Sequence, residues 1–82
     1  MVKTHEENPT PLLAQDFEIL FRTRFKPLVI YALRFVKDLE TAKGLVQDVF
    51  ITLWEKRSDL GGSRSEAAAY LTTSVRNRCL NH

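Results

Sequence analysis

The chain has 82 residues, enough for one small domain and too few for a large enclosed active site. Apolar residues make up 44% and charged residues 27%, which excludes a chain that is disordered or membrane-embedded throughout. Twelve Lys and Arg against ten Asp and Glu leave a net charge of +2, too slight a surplus to argue nucleic-acid binding from total charge.

Three glycines and three prolines supply few reversals for an all-β domain, so an all-α fold is expected. Cys79 is the single cysteine, which rules out an internal disulfide and any Cys-based metal site, and fits a reducing compartment. Nothing from Met1 to Pro11 reads as a signal peptide, and no run approaches the ~18 apolar residues of a membrane span. The expectation is a cytoplasmic protein with no membrane partner.

Residues 1–10 are polar and read as a flexible tail, leaving 11–82 as one helical domain. Thr10 and Pro11 suit an N-cap and first helical position, since proline lacks an amide that would be unsatisfied there. Leu13, Phe17, Leu20, Phe21, Phe25, Leu28, Ala32, Phe35 and Val36 recur at spacings of three and four, predicting a helix to about Lys37. Pro27 predicts a kink or short break near Thr23 to Lys26.

Asp38 is placed to cap a second helix, Leu39 to Arg57, with Glu40 in its first turn and Lys56 and Arg57 in its last. Ala42, Leu45, Val46, Val49, Phe50, Leu53 and Trp54 form its apolar stripe. Gly61-Gly62 marks a loop over Ser58 to Ser63, and Ser63-Arg64-Ser65-Glu66 matches a capping box that opens a third helix. Ala68, Leu71, Val75 and Cys79 line that helix, which reaches His82 with no stop signal and so reads as part of an excised domain. The expected core is Phe17, Phe21, Phe25, Phe35, Leu45, Val49, Phe50, Leu53, Leu71 and Val75.

No catalytic constellation is visible. His5 lies in the tail and His82 at the terminus, where a positioned base is not expected, and Gly61-Gly62 lacks the Gly-Lys-Ser/Thr of a phosphate loop. No cofactor or metal is implied. Two surfaces remain. The second helix presents Lys43, Gly44, Gln47, Asp48, Ile51, Thr52 and Glu55 opposite its stripe. The third carries Arg76 and Arg78 with Tyr70, Thr72, Thr73, Asn77 and Asn81, a set suited to phosphate, base edges and stacking, or to an ordinary solvated face.

The run from Ala42 through Lys43, Gly44, Gln47, Asp48 and Phe50 to Trp54 resembles the second conserved region of bacterial sigma factors, in particular the extracytoplasmic-function group. Its most specific part is Gln47-Asp48 with Phe50 and Trp54. Tyr70-Leu71 with Val75-Arg76-Asn77 is similar to the next segment of that region, and Asp16 to Asp38 to the preceding helix. The resemblance covers Asp16 to His82. It implies a compact helical bundle that docks on the clamp coiled coil of the β′ subunit of RNA polymerase core. It also implies that the bundle reads the minus-ten promoter element as a melted non-template strand, with an anti-sigma factor as a further partner.

By resemblance, Gln47, Asp48, Phe50, Ile51 and Trp54 bind polymerase, while Arg57, Ser63, Arg64, Tyr70, Thr73, Arg76, Asn77 and Arg78 bind DNA. The chain departs from the pattern at Lys43-Gly44, where acidic residues are frequent, and at Tyr70, where tryptophan is. No fourth conserved region follows, so DNA binding by this piece alone is expected to be weak and salt-dependent. The alternative, from another class, is a helical protein–protein adaptor whose arginines are surface charge only.

Overall fold

Amphipathic spacing drives each of the helices found in the computed structural model, which describes residues 14–57 and 64–82. They are α1 (Ala14–Ala32), α2 (Leu39–Glu55) and α3 (Arg64–Leu80), each packed against the other two. The fold is the all-α bundle expected. The Thr10-Pro11 start, the Gly61-Gly62 loop, the Ser63 cap, the tail and His5 all lie outside the described residues.

Helix α1 differs from its expected form in two respects. The short break expected near Pro27 is absent, and the helix runs on through the proline. Burial of Leu20 on one side of the proline and of Leu28, Val29 and Ala32 on the other holds both halves in phase, against a proline penalty of about 3 kcal/mol. Pro27 itself is exposed, so water can serve the carbonyl it leaves without a donor. The helix also stops at Ala32, short of Lys37. The amides of Arg34 and Phe35 donate to the carbonyls three residues back, Tyr31 and Ala32, at 3.0 and 2.9 Å, tightening the chain out of α-geometry. Phe35 and Val36 keep the sequence spacing but reach the core from this turn, half-buried, with Phe35 edge-on to Tyr31 at 5.3 Å.

Asp38 starts α2 in a new direction. Its backbone is extended, and its carboxylate accepts from the Thr41 amide at 2.8 Å and the Thr41 hydroxyl at 2.7 Å. These bonds stabilise the ionised form and hold the carboxyl below its ordinary pKa. Helix α2 ends at Glu55, so Lys56 is its C-cap and Arg57 lies beyond it, where a longer last turn had been expected.

The core comprises Leu20, Leu28, Val29, Ala32, Ala42, Val46, Val49, Phe50, Leu53, Ala67, Leu71, Val75 and Cys79. Five of the ten residues expected there are fully buried, Val49, Phe50, Leu53, Leu71 and Val75. Phe17, Phe25, Phe35 and Leu45 are only half-buried against it, and Phe21 is 39% exposed. In α3 it is Ala67, not Ala68, that is fully buried. Burial raises the pKa of the Cys79 thiol and leaves it a small apolar core group. Among the described residues no buried side-chain N or O lacks a hydrogen-bond partner, and no helix is long and apolar enough to cross a membrane.

Candidate partner-binding and nucleic-acid faces

Helix α2 turns Gln47, Ile51, Trp54 and Glu55 to one side, a spacing of four, three and one that puts them on a common face. Beside them α1 contributes Ala14, Phe17 and Phe21, and the two helices enclose a groove of about 620 Å³ floored by Phe50. Aromatic rings build it. Phe17 meets Trp54 at 4.9 Å and Phe50 edge-on at 6.0 Å, and Phe21 meets Phe50 edge-on at 5.0 Å. Ile51 is 55% exposed, Phe21 39% and Trp54 36%, so the groove presents large apolar side chains to solvent. Large apolar side chains grouped on one face offer a surface that a partner can cover.

The expected polymerase-binding residues therefore do not act alike. Gln47, Ile51 and Trp54 line the groove, whereas Phe50 is 2% exposed and supports it from beneath. Asp48 is outside it. Its carboxylate lies 3.7 Å from the guanidinium of Arg78 on α3, which also donates to the Thr52 hydroxyl at 3.4 Å. Two residues that sequence reasoning assigned to different partners are thus paired with each other.

The expected nucleic-acid residues divide likewise. Tyr70, Asn77 and Arg78 share a shallow cleft of about 190 Å³ with Ser74 of α3 and Val49 and Thr52 of α2. Thr73 and Arg76 are exposed elsewhere on α3. Arg64, at the start of α3, pairs with Asp16 of α1 at 3.7 Å. Of the α3 arginines, Arg76 is the one without an ion pair among the described residues. Arg57 is separate from all of these. Its guanidinium stacks 3.8 Å above the Trp54 ring and donates to the Trp54 carbonyl at 2.6 Å, closing the end of α2. Ser63 lies outside the described residues.

The sequence reading missed the α1 wall of the groove and the pairings of Asp16 and Asp48. Phe21 was visible as an apolar residue, but spacing alone does not separate a core position from a groove wall. Gly44 lies one turn before Asp48 on the same side of α2. A Cβ placed on it would meet nothing within 4 Å, and its backbone is ordinary helix. Glycine there costs about 1 kcal/mol relative to alanine without any return in packing. The described residues contain no group of three or more His, Cys, Asp or Glu placed to hold a metal.

Compared with known families, residues 20–82 match the profile described as sigma-70 region 2. No curated protein and no solved structure matches the chain.

Proposed function

The chain belongs to the sigma-70 region 2 family, and from that premise we propose how its surfaces divide the work of a sigma factor in transcription initiation. The groove between α1 and α2 takes a helix of the polymerase core, the coiled coil of the β′ clamp. The outer surface of α3 takes the melted non-template strand of the minus-ten element. Docking on polymerase places the domain in the cytoplasm, and catalysis is left to the polymerase. The extracytoplasmic-function subgroup and sequestration by an anti-sigma factor belong to the same reading.

The observation that carries it is the exposed apolar groove, with Ile51 and Trp54 of α2 at its lip, inside the segment that matches the family. An apolar centre flanked by Gln47 and Glu55 suits a helix that is apolar along one stripe and polar or basic beside it. On α3, Arg76 is free to neutralise a phosphate, and Tyr70 with Asn77 offers a ring and an amide to an unstacked base.

Two arms test the proposal. Ile51→Asp puts a charge on the groove lip without touching the core and should abolish binding to an isolated β′ clamp coiled coil. Arg76→Ala should leave that binding intact but weaken capture of single-stranded minus-ten DNA by the domain bound to polymerase core, lowering the salt slope by about 0.7. Full clamp affinity in Ile51→Asp would refute the groove assignment. An unchanged salt slope in Arg76→Ala would refute the α3 assignment and favour an adaptor.

A further inference from the structure

Two of the arginines on α3 are held by carboxylates from the other helices, Arg64 by Asp16 of α1 and Arg78 by Asp48 of α2, each at 3.7 Å. Arg78 is the more completely held. One of its terminal nitrogens, Nη1, faces the Asp48 carboxylate, and the other, Nη2, donates to the Thr52 hydroxyl at 3.4 Å. Asp48 and Thr52 lie one turn apart on α2, so both ends of the planar guanidinium fork are drawn across to that helix. Arg78 also lines the cleft shared by Tyr70 and Asn77. Its side chain is 44% exposed and that of Asp48 55%, so the pair stands where a nucleic-acid phosphate can reach it.

We infer that Asp48 is an intramolecular stand-in for a DNA phosphate, occupying Arg78 in the free domain and keeping that arginine out of the electrostatic contact with a single strand. A carboxylate and a phosphate present similar anionic oxygens to a guanidinium, and they compete for it. A strand engages Arg78 only by displacing Asp48, which leaves that carboxylate without its cation beside a chain of phosphates. Arg76, exposed and without an ion pair among the described residues, meets a phosphate without displacing anything. Asp48 thereby lowers the sequence-independent share of DNA affinity and leaves discrimination to Tyr70 and Asn77, which makes it a specificity-determining residue. The inference rests on the proposed role of α3 as the DNA face.

The test uses the full chain and a fluorescein-labelled oligo-dT strand, with anisotropy titrations over a range of salt and thermal melts to check folding. Arg78→Gln alone should leave affinity and salt slope close to native, because the arginine is already occupied. Asp48→Asn, similar in shape and half exposed, should stay folded. It should tighten binding about two- to fivefold at low salt, the contribution of an exposed ion pair, and steepen the slope by about 0.7 as one more phosphate is neutralised. Adding Arg78→Gln to Asp48→Asn should return both to native values. Equal tightening by Asp48→Asn with and without Arg78 would overturn the inference, since the carboxylate would then act by general repulsion. A lowered slope in Arg78→Gln alone would overturn it too, because the arginine would already be on a phosphate. Arg76→Ala run alongside separates the two readings. If it lowers the slope while Asp48→Asn changes nothing, the inference alone falls; if it changes nothing either, the α3 assignment falls as well.

Discussion

Replacing Phe50 by alanine distinguishes a residue that touches a partner from one that builds the surface the partner touches. Phe50 is 2% exposed and sits among Phe17, Phe21 and Phe25 at centroid separations of 6.0, 5.0 and 6.2 Å. Truncating a buried phenylalanine costs about 3–5 kcal/mol, since the cavity closes only in part. A domain of this length has a total stability of roughly 4–12 kcal/mol. Phe50→Ala should therefore lower the melting temperature by on the order of 12–40 °C, at about 4–8 °C per kcal/mol. Phe50→Leu, which restores most of the volume, should lose far less. Circular dichroism melts measure both, and clamp binding well below each midpoint should be weakened only as far as the groove floor sags. A Phe50→Ala domain that melts within about 3 °C of the native one yet fails to bind the clamp would refute the reasoning. It would return Phe50 to the partner-contacting residues, where the family resemblance places it.

A double-mutant cycle of Asp48→Asn and Arg78→Gln should give a coupling of about 0.2–1 kcal/mol, shrinking with added salt, because both side chains are about half exposed; chemical denaturation measures it, and zero coupling at low salt would mean that the ion pair contributes nothing. The Asp38 carboxyl has a lower pKa in the folded chain than in the unfolded one, so the stability it adds is complete above the ordinary carboxylate range and is lost as pH falls through the folded value. Asp38→Asn, which still caps, should flatten the fall in melting temperature below about pH 4, and an unchanged acid limb would contradict the assignment.

Much of this fold is legible in the sequence because three stripes of apolar residues are regular enough to fix three helices. The α2 stripe is clearest. Ala42, Val46, Val49, Phe50 and Leu53 are all buried as their spacing requires. Where reading failed, tertiary packing was responsible. Pro27 carries a local helix-breaking signal, yet buried residues on both sides override it. Phe35 and Val36 continue the period of α1 but enter the core from a turn, because spacing does not report where hydrogen bonding passes from four residues back to three.

The site was legible in composition and only partly in arrangement. Ile51 stood out as an apolar residue off the stripe, and it proves to be the lip of a groove. The other wall, Phe17 and Phe21, comes from a helix some thirty residues earlier in the chain, and no local pattern announces that meeting. The same limit hid the ion pairs of Asp48 with Arg78 and Asp16 with Arg64, whose partners are far apart in sequence. By resemblance, Asp48 is assigned to polymerase and Arg64 and Arg78 to DNA, whereas Asp16 carries no assignment.

Trp54 is the single tryptophan of the chain and lines the groove at 36% exposure, so its emission reports directly on occupation of that site. Titration with a tryptophan-free β′ clamp coiled coil is the most direct test of the central claim. The account predicts a saturable blue shift as the indole is covered, absent in Ile51→Asp. Tight binding of the coiled coil with unchanged Trp54 emission would contradict it and move the polymerase contact to another face of the bundle.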